Sequence, residues 1–158
     1  MKDGIVGELF KYYEGTLGDF LHEAINEKGQ LIKIIIKDVD QLKLSQIDGK
    51  GCILTSEYHH VIDNYAIRHI ISKHSSEKES LRGQVQIQIT DFLLIPNLLT
   101  EYDAVRTEIR NKKEVLIYEK TYSDITYNIV EEVRKGRKEL AVVTFYKTRK
   151  GKLTGADS

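Results

Sequence analysis

Two histidines five positions apart, His69 and His74, are the residues best suited to acid–base chemistry, and both lie in the segment NYAIRHIISKHS (64–75). An imidazole titrates near neutral pH, so it can take or give a proton under physiological conditions. Lys73 lies one helical turn from His69 and would favour an anionic substrate there. The structural alternative makes His74 a hydrogen-bonded residue at a helix end and His69 an ordinary surface histidine.

A second candidate set lies near the end of the chain, in ELAVVTFYK (139–147). Thr144 and Tyr146 form a T-x-Y pair, and residues two apart in a strand point to one face of a sheet. Hydroxyl groups placed in this way can orient an oxyanion, and a tyrosine can also stack on a base. The alternative is an ordinary cross-strand pair, since both residue types favour strands.

Basic side chains supply candidate contacts to phosphate, with a solvated surface position as the alternative for each. Beside Lys73, the candidates are Arg82, Lys120, Arg137 and Lys147. The chain has 24 Lys+Arg and 24 Asp+Glu, and this balance argues against non-specific duplex binding by bulk charge. A local basic groove remains compatible with it, because the segment 134–152 is strongly basic.

The sequence does not favour a metal site or a bound cofactor. His69 and His74 are five apart, whereas a zinc pair on a helix prefers a spacing of three or four. His59 and His60 are adjacent in an extended segment, so their side chains point to opposite faces. The single Cys52 excludes a disulfide scaffold and is interpreted as a buried structural thiol. Phosphate-binding glycine loops and a nucleophile elbow are also absent from the sequence.

Length and composition fit one globular domain, with 158 residues of which 41% are hydrophobic. The longest apolar runs fall short of the roughly 18 residues that span a bilayer, so we expect no membrane partner. The amino terminus MKDGIVGELF has an early acid and lacks an apolar stretch, so it does not read as a secretory signal. We therefore expect a cytoplasmic protein.

The elements that would position these groups follow from hydrophobic periodicity. The sequence predicts a helix over 5–27 that breaks near its glycines, a strand over 30–38, an extended segment over 52–62, a helix over 64–75, a mixed segment over 85–103, and strands over 114–120, 124–134 and 139–147. Thr16 and Asp63 are predicted helix N-caps, and Thr90 is a candidate cap for the mixed segment. Pro96 limits any regular helix there.

The last three predicted strands are joined by short links, TYS and KGRK, which force antiparallel neighbours and therefore a β-meander. Strict alternation in the last strand predicts one face with Leu140, Val142, Thr144 and Tyr146, and another with Ala141, Val143 and Phe145. The second face is uniformly apolar, and we expect it to meet the helices. The first changes from apolar to polar along its length, which suggests a cleft.

Three blocks of the sequence together resemble the phage-borne members of the barnase–EndoU–colicin–RelE-like superfamily of RNases. They are HHVIDNYAIRHIISKH (59–74), RGQVQIQITDFLLIPNLLTEYD (82–103) and AVVTFYKTRKGK (141–152). The resemblance covers about residues 30–152. It implies an α+β fold in which N-terminal helices pack on a mainly antiparallel four-stranded sheet ending in the meander. Residues 1–29 would be an N-terminal helical segment and 153–158 a flexible tail.

The resemblance also implies a function, namely metal-independent RNA cleavage with no cofactor. A base would take the proton of a ribose 2′-hydroxyl, which attacks the adjacent phosphate and leaves a 2′,3′-cyclic phosphate. The resemblance makes His69, His74, Thr144 and Tyr146 the catalytic candidates and places Lys73 in the same helical motif. The other substrate-binding candidates, Arg82, Lys120 and Lys147, follow from their basic side chains alone. The expected partners are single-stranded or tRNA-like RNA and, for a toxin-like protein, an immunity or antitoxin protein.

Two other classes of function stay open at this point. The same scaffold could serve a non-catalytic protein of a phage or mobile element that binds a protein or nucleic-acid partner. A third reading is a structural accessory domain with no ligand. Convergence of the histidine, lysine and Thr/Tyr groups around one phosphate-sized space would favour the enzyme, and a scattered arrangement would favour binding.

Overall fold

The computed structural model describes residues 11–39, 58–74 and 84–149, and Arg82 lies outside these ranges. The helices are α1 (Leu17–Asn26), α2 (Asn64–His74) and α3 (Ile95–Leu98), preceded by a 3₁₀ helix over Ile89–Leu94. The strands are β1 (Lys11–Tyr12), β2 (Ile32–Asp38), β3 (His59–Asp63), β4 (Gln84–Val85), β5 (Ala104–Arg110), β6 (Lys113–Tyr122), β7 (Ile125–Arg134) and β8 (Glu139–Arg149). The predicted α+β class is confirmed. Within the described ranges, no helix has the length and apolar character needed to cross a membrane.

The sheet is larger than the predicted four-stranded antiparallel one, and it is mixed. Its strand order is β1-β2-β3-β8-β7-β6-β5, with β4 paired to β8. The meander β5–β8 is antiparallel, but β3 pairs with β8 in parallel and β1 pairs with β2 in parallel. Short links force neighbouring strands to be antiparallel, whereas the long connection between β3 and β8 imposes no such constraint. The short links of the chain therefore predict only the antiparallel pairs, and the parallel pairing of β3 with β8 has no local signal.

Strand β5 was not predicted, although it pairs with β6 along its whole length. The two strands are joined by Asn111 and Lys112, whose φ angles are 51° and 67°. Two successive positive φ values are typical of the type I′ turn that matches the twist of a hairpin. Asn-Gly is the usual sequence for this turn, and the lysine at the second position concealed the signal.

Two predicted caps are confirmed by their hydrogen bonds. The Thr16 hydroxyl accepts a hydrogen bond from the Asp19 amide at 3.1 Å, and Asp63 Oδ1 accepts one from the Ala66 amide at 2.7 Å. The helix predicted over 5–27 is confirmed only from residue 17, because residues 11–12 instead pair with β2. The prediction ignored the edge of β2 as a competing partner for this backbone.

The mixed segment is a 3₁₀ helix that continues into the short α3, with Pro96 in the first turn of α3. Gln88, rather than Thr90, occupies its N-cap, where the Gln88 amide donates to Asp91 Oδ2 at 2.7 Å. Proline is tolerated in a first helical turn because the amides there have no intrahelical partner. Pro96 therefore limits the regular helix, as predicted.

The main core lies between the helices and one face of the sheet, which we call the helix face. It includes Phe20 of α1, Ile67 and Ile70 of α2, Phe92, and Phe145 of β8, all with no exposed surface. Full burial of a large apolar side chain stabilises a fold by about 1.5–3 kcal/mol. Helix α1 therefore shares its core with α2 and the meander.

The opposite surface of the sheet, which we call the far face, has its own small apolar cluster of Val115, Ile117 and Val130, with Val143 packed against it. Val130 pairs with Thr144 and Glu131 with Val142, so Val143 is an extra residue and β8 contains a β-bulge. The bulge reverses the alternation. Leu140, Val142 and Phe145 lie on the helix face, whereas Val143, Thr144 and Tyr146 lie on the far face.

The prediction that Ala141, Val143 and Phe145 share the helix-facing side of β8 is therefore wrong. Strict alternation assumes a strand without insertions, and one extra residue moves every later side chain to the other face. The functional part of that prediction is unaffected. Thr144 and Tyr146 still share a face, and that face is the one turned away from the helices.

The adjacent histidines of β3 point to opposite faces, and each has an acidic partner. His60 Nδ1 lies 2.7 Å from Glu131 Oε2, and Tyr118 donates to Glu131 Oε1 at 2.7 Å, with all three residues buried on the helix face. His59 Nδ1 lies 2.7 Å from Asp38 Oδ1 at the surface. Both acidic partners are distant in sequence from the histidines, so the spacing of residues gave no sign of these pairs.

Candidate active site

Tyr146 and Thr144 mark one side of a polar region on the far face. Both side chains are half-buried. Burial raises the pKa of the Tyr146 hydroxyl, although the guanidinium groups of Arg110 and Arg106 lower it. The hydroxyl therefore remains protonated at neutral pH and can act as a hydrogen-bond or proton donor.

Glu119, Asn128 and Tyr146 form one row across the far face. Glu119 of β6 pairs with Asn128 of β7, which in turn pairs with Tyr146 of β8. Neighbouring strands lie about 4.8 Å apart, so the backbones at Glu119 and Tyr146 are about 10 Å apart. Asn128 between them is buried and its side chain is short, so the longer side chains of Glu119 and Tyr146 flank it on either side.

An alternating run of charges, Arg106-Thr-Glu108-Ile-Arg110, lies on the edge strand β5. Arg106 pairs with Ile117 and Glu108 with Val115 across the strands, which places these charged side chains on the far face. Arg110 lies two residues further along and shares that face. The run was not recognised in the sequence because β5 itself was not predicted, although the alternation of charges was a visible signal.

Ion pairs connect this run to Glu119. Arg106 Nε lies 3.3 Å from Glu108 Oε2, Arg106 Nη1 lies 3.2 Å from Glu119 Oε2, and Arg110 Nε lies 2.9 Å from Glu108 Oε1. Hydrogen bonds from Arg110 and then Arg106 lower the pKa of Glu108. All four side chains are at least a third exposed. Such pairs contribute little stability, so a phosphate can replace a carboxylate as the partner of an arginine.

The far face can therefore supply carboxylates that accept a proton, a protonated tyrosine that donates one, and two arginines that bind a phosphate. Among the described residues, His, Cys, Asp and Glu side chains form no group of three or more that could hold a metal ion. A proton acceptor, a proton donor and cations that bind phosphate are together the groups needed to transfer a phosphoryl group between oxygen atoms.

A protein-family model matches residues 37–154, and its description is phage-Barnase-EndoU-ColicinE5/D-RelE like nuclease3. The chain belongs to this nuclease family. The family resemblance of the three sequence blocks is thus confirmed. No curated protein and no solved structure gives a significant match to the chain.

Membership of the nuclease family indicates nuclease activity and a nucleic-acid substrate. The matched residues include β3, α2 and the whole meander, so every residue of the far-face site lies within the match. Strand β1 and helix α1 lie before it. The site described above therefore belongs to the part of the chain that defines the family.

The helical candidates of this nuclease lie on the other side of the sheet. Ile67 and Ile70 bury one side of α2 in the core on the helix face, whereas His69 and Lys73 are exposed on its outer side. His74 ends α2, and its side chain lies outside the description. The structure does not bring His69 and Lys73 to the surface that carries Tyr146.

Two predicted phosphate contacts also lie on the helix face of the nuclease, on either side of Tyr127. Lys147 pairs with Asp91 at 2.9 Å and both side chains are largely buried, so this ion pair fixes the 3₁₀ helix to β8. Lys120 pairs with Asp103 at 3.3 Å. Both lysines therefore form ion pairs within the fold, and neither lies on the surface that carries Thr144 and Tyr146.

Proposed function

We propose that this nuclease is a metal-independent endoribonuclease whose active site is the far face of its sheet. The observation that carries the proposal is the row in which Glu119 and Tyr146 stand on either side of Asn128, with Arg106 ion-paired to Glu119 at 3.2 Å. An acceptor and a donor placed on opposite sides of a bound phosphate would suit an in-line displacement at phosphorus. The ribose 2′-hydroxyl would supply the nucleophile.

In the proposed reaction, Glu119 takes the proton of the 2′-hydroxyl while the 2′-oxygen attacks the adjacent phosphorus. The bond from phosphorus to the 5′-oxygen breaks, and Tyr146 gives its proton to that leaving oxygen. Arg106 and Arg110 neutralise the charge that develops on the non-bridging oxygens, and Thr144 donates a hydrogen bond to one of them. The products are a 2′,3′-cyclic phosphate and a 5′-hydroxyl.

Glu119 is a better base in this scheme than Glu108. Both oxygens of Glu108 accept hydrogen bonds, from Arg106 and Arg110, and these lower its pKa. In the described part of the chain, Glu119 contacts Arg106 through Oε2 alone, which leaves Oε1 for a ribose hydroxyl. A carboxylate that keeps one oxygen for the substrate can accept its proton.

The histidines provide a rival assignment within the same function. There, His69 or His74 acts as base or acid, and Lys73 binds the phosphate with Arg82 or Lys147. This assignment requires a site around α2 instead of the far face. The two assignments make opposite predictions for variants, so one set of proteins separates them.

The test is cleavage of a single-stranded RNA oligonucleotide in EDTA by the wild type, Glu119→Gln, Tyr146→Phe and the double variant His69→Ala/His74→Ala. We expect the double histidine variant to cleave like the wild type and the two far-face variants to lose about 10²–10⁴ in rate. The products should carry a 2′,3′-cyclic phosphate, and the all-deoxy oligonucleotide should stay intact. Cleavage of DNA and RNA at one rate would refute the 2′-hydroxyl mechanism.

The histidine assignment would replace the far-face one if the double histidine variant were inactive while Glu119→Gln kept the wild-type rate. Intact RNA with every protein, each folded by circular dichroism, would favour the non-catalytic binding protein on the same scaffold. A melt of each variant is the control that separates loss of activity from loss of fold.

We also propose a toxin-like role, supported by the phage-type nuclease family to which the chain belongs. Induced expression of the wild type should stop growth of a bacterial host, and Glu119→Gln should not. An immunity or antitoxin partner would then be recovered as a gene that restores growth. Equal growth with both proteins would refute the toxin-like role without affecting the cleavage chemistry.

A further inference from the structure

One end of the sheet is strongly basic, and it lies beside the proposed active site. The β5–β6 and β7–β8 turns both lie at this end, because Arg110 pairs with Lys113 and Arg134 with Glu139. The cations there are Arg110, Lys112, Lys113, Arg134, Lys135, Arg137 and Lys138. Arg134, Lys135, Arg137 and Lys138 belong to the basic segment noted in the sequence, and of the cations at this end the proposed cleavage chemistry uses only Arg110.

Two of these lysines occupy left-handed backbone positions. Lys112 has a φ of 67° and Lys138 a φ of 57°. A side chain in this region costs roughly 1 kcal/mol, whereas glycine adopts it at no such cost and asparagine more readily than most residues. Backbone strain of this kind is often kept where the side chain itself is needed. Lysine at both turns therefore points to a use for the ammonium groups.

A groove of about 610 Å³ connects the two turns. Ile109, which is 72% exposed, lies in its wall beside Lys112, Lys113, Arg134 and Lys135. The carboxylates in the groove only partly neutralise these cations. Lys113 lies 3.4 Å from Glu132 and Lys135 lies 3.8 Å from Glu114. Within the described ranges, Lys112 has no hydrogen bond or ion pair.

The groove is continuous with the far face. Lys113 and Arg134 lie on the far face. Ile109 and Val133 point to the helix face, so the groove wraps around the end of the sheet. Arg110 stands between the two regions. It is next to Ile109 in sequence. Its guanidinium lowers the pKa of the Tyr146 hydroxyl, against the larger effect of burial, which raises it.

We propose that this groove binds a nucleotide flanking the cleavage site of a single-stranded RNA. The flanking phosphate lies between Lys112 and Lys135, and the flanking base packs on Ile109. A base can reach an apolar side chain in this way only when it is unstacked, so the groove selects single strands over duplexes. The inference rests on the proposed function and adds a second contact region to its substrate.

The test measures binding of 2′-O-methyl RNA to the full chain by fluorescence anisotropy, so that its outcome does not depend on cleavage. The double variant Lys112→Gly/Lys135→Gln should bind a long single strand more weakly. The slope of log K against log salt should fall by about 0.7, since the two lysines share one phosphate and each lost phosphate contact contributes about 0.7 for single strands. An oligonucleotide too short to reach the groove should bind both proteins equally.

A strain control separates charge from backbone effects. Ser123 in the β6–β7 turn has a φ of 59° at the opposite end of the sheet. Ser123→Gly and Lys112→Gly should both raise the melting temperature, because glycine relieves the same strain. Only Lys112→Gly should weaken binding of the long strand.

Three results would overturn the inference. They are an unchanged salt slope in the double variant, equal losses for short and long oligonucleotides, and duplex RNA binding as tightly as the single strand. An inactive far face with an intact length-dependent salt effect would refute the cleavage proposal alone. The two proposals therefore fail in distinguishable ways.

Discussion

Replacing Arg106 would show whether its ion pairs with Glu108 and Glu119 serve catalysis or stabilise the fold. Its guanidinium contacts Glu108 at 3.3 Å and Glu119 at 3.2 Å, but its side chain is 52% exposed. Solvent screens such pairs, so the loss of Arg106 should cost the fold only about 0–1 kcal/mol. In the proposed transition state the same group faces a developing charge, where loss of one donor costs about 2.7–4 kcal/mol.

Arg106→Ala should therefore lower kcat by about 10²–10³ and lower the melting temperature by at most about 4 °C. The assay is single-turnover cleavage of a labelled RNA, with a thermal melt of the same preparation. Arg149→Ala is a matched control, because Arg149 is 50% exposed, pairs with Asp124 at 3.5 Å and lies on the helix face. It should melt like Arg106→Ala and cleave like the wild type.

A wild-type rate of cleavage by Arg106→Ala, or an equal loss of activity in both arginine variants, would show that Arg106 does not stabilise the transition state. A melting temperature of Arg106→Ala far below that of the control would also contradict the prediction. That result would show that the arginine–carboxylate network stabilises the fold, and it would argue against the far face as the active site.

Three further predictions concern the fold that supports the site. Lys33 and Glu139 form a buried ion pair at 2.9 Å, so Glu139→Gln should lower the free energy of unfolding in urea by about 3–5 kcal/mol. The apolar double variant Lys33→Met/Glu139→Leu should recover most of this loss, and additive losses would contradict the prediction. Burial, followed by the hydrogen bond to Glu139, raises the pKa of Tyr12 to about 12 from 10.0. The contribution of Tyr12 to the free energy of unfolding is thus complete below pH 10 and is lost as the pH rises to 12. Tyr12→Phe should flatten this part of the curve of stability against pH. An unchanged curve would show that Tyr12 does not contribute. Phe20→Ala should cost about 3–5 kcal/mol in one cooperative transition, because α1 shares the main core; two separate transitions would show that α1 unfolds on its own.

Local sequence signals predicted the elements whose causes are local. Thr16 and Asp63 cap their helices as expected, because a cap depends on a side chain and an amide three residues apart. Strands β6, β7 and β8 of the meander were also predicted, since short links leave antiparallel pairing as the only option. Strand β5 was missed because its turn uses lysine where glycine is the usual signal.

The candidate site was only partly predictable for the same reason. Thr144 and Tyr146 were identified from their spacing, and the structure places them together on the far face. Arg106 and Glu119 were missed, because they reach the same region from β5 and β6 through cross-strand register. His69 was identified from its residue type, yet its helix packs on the other side of the sheet.

By itself the sequence determined an α+β chain with a C-terminal meander and membership of a nuclease family, because composition, periodicity and block order are properties of the chain alone. Which side chains meet depends on the three-dimensional fold. The bulge at Val143 determines which face carries Tyr146, and strand order determines that Glu119 stands opposite it. Both depend on contacts between residues far apart in sequence, and local spacing carries no record of them.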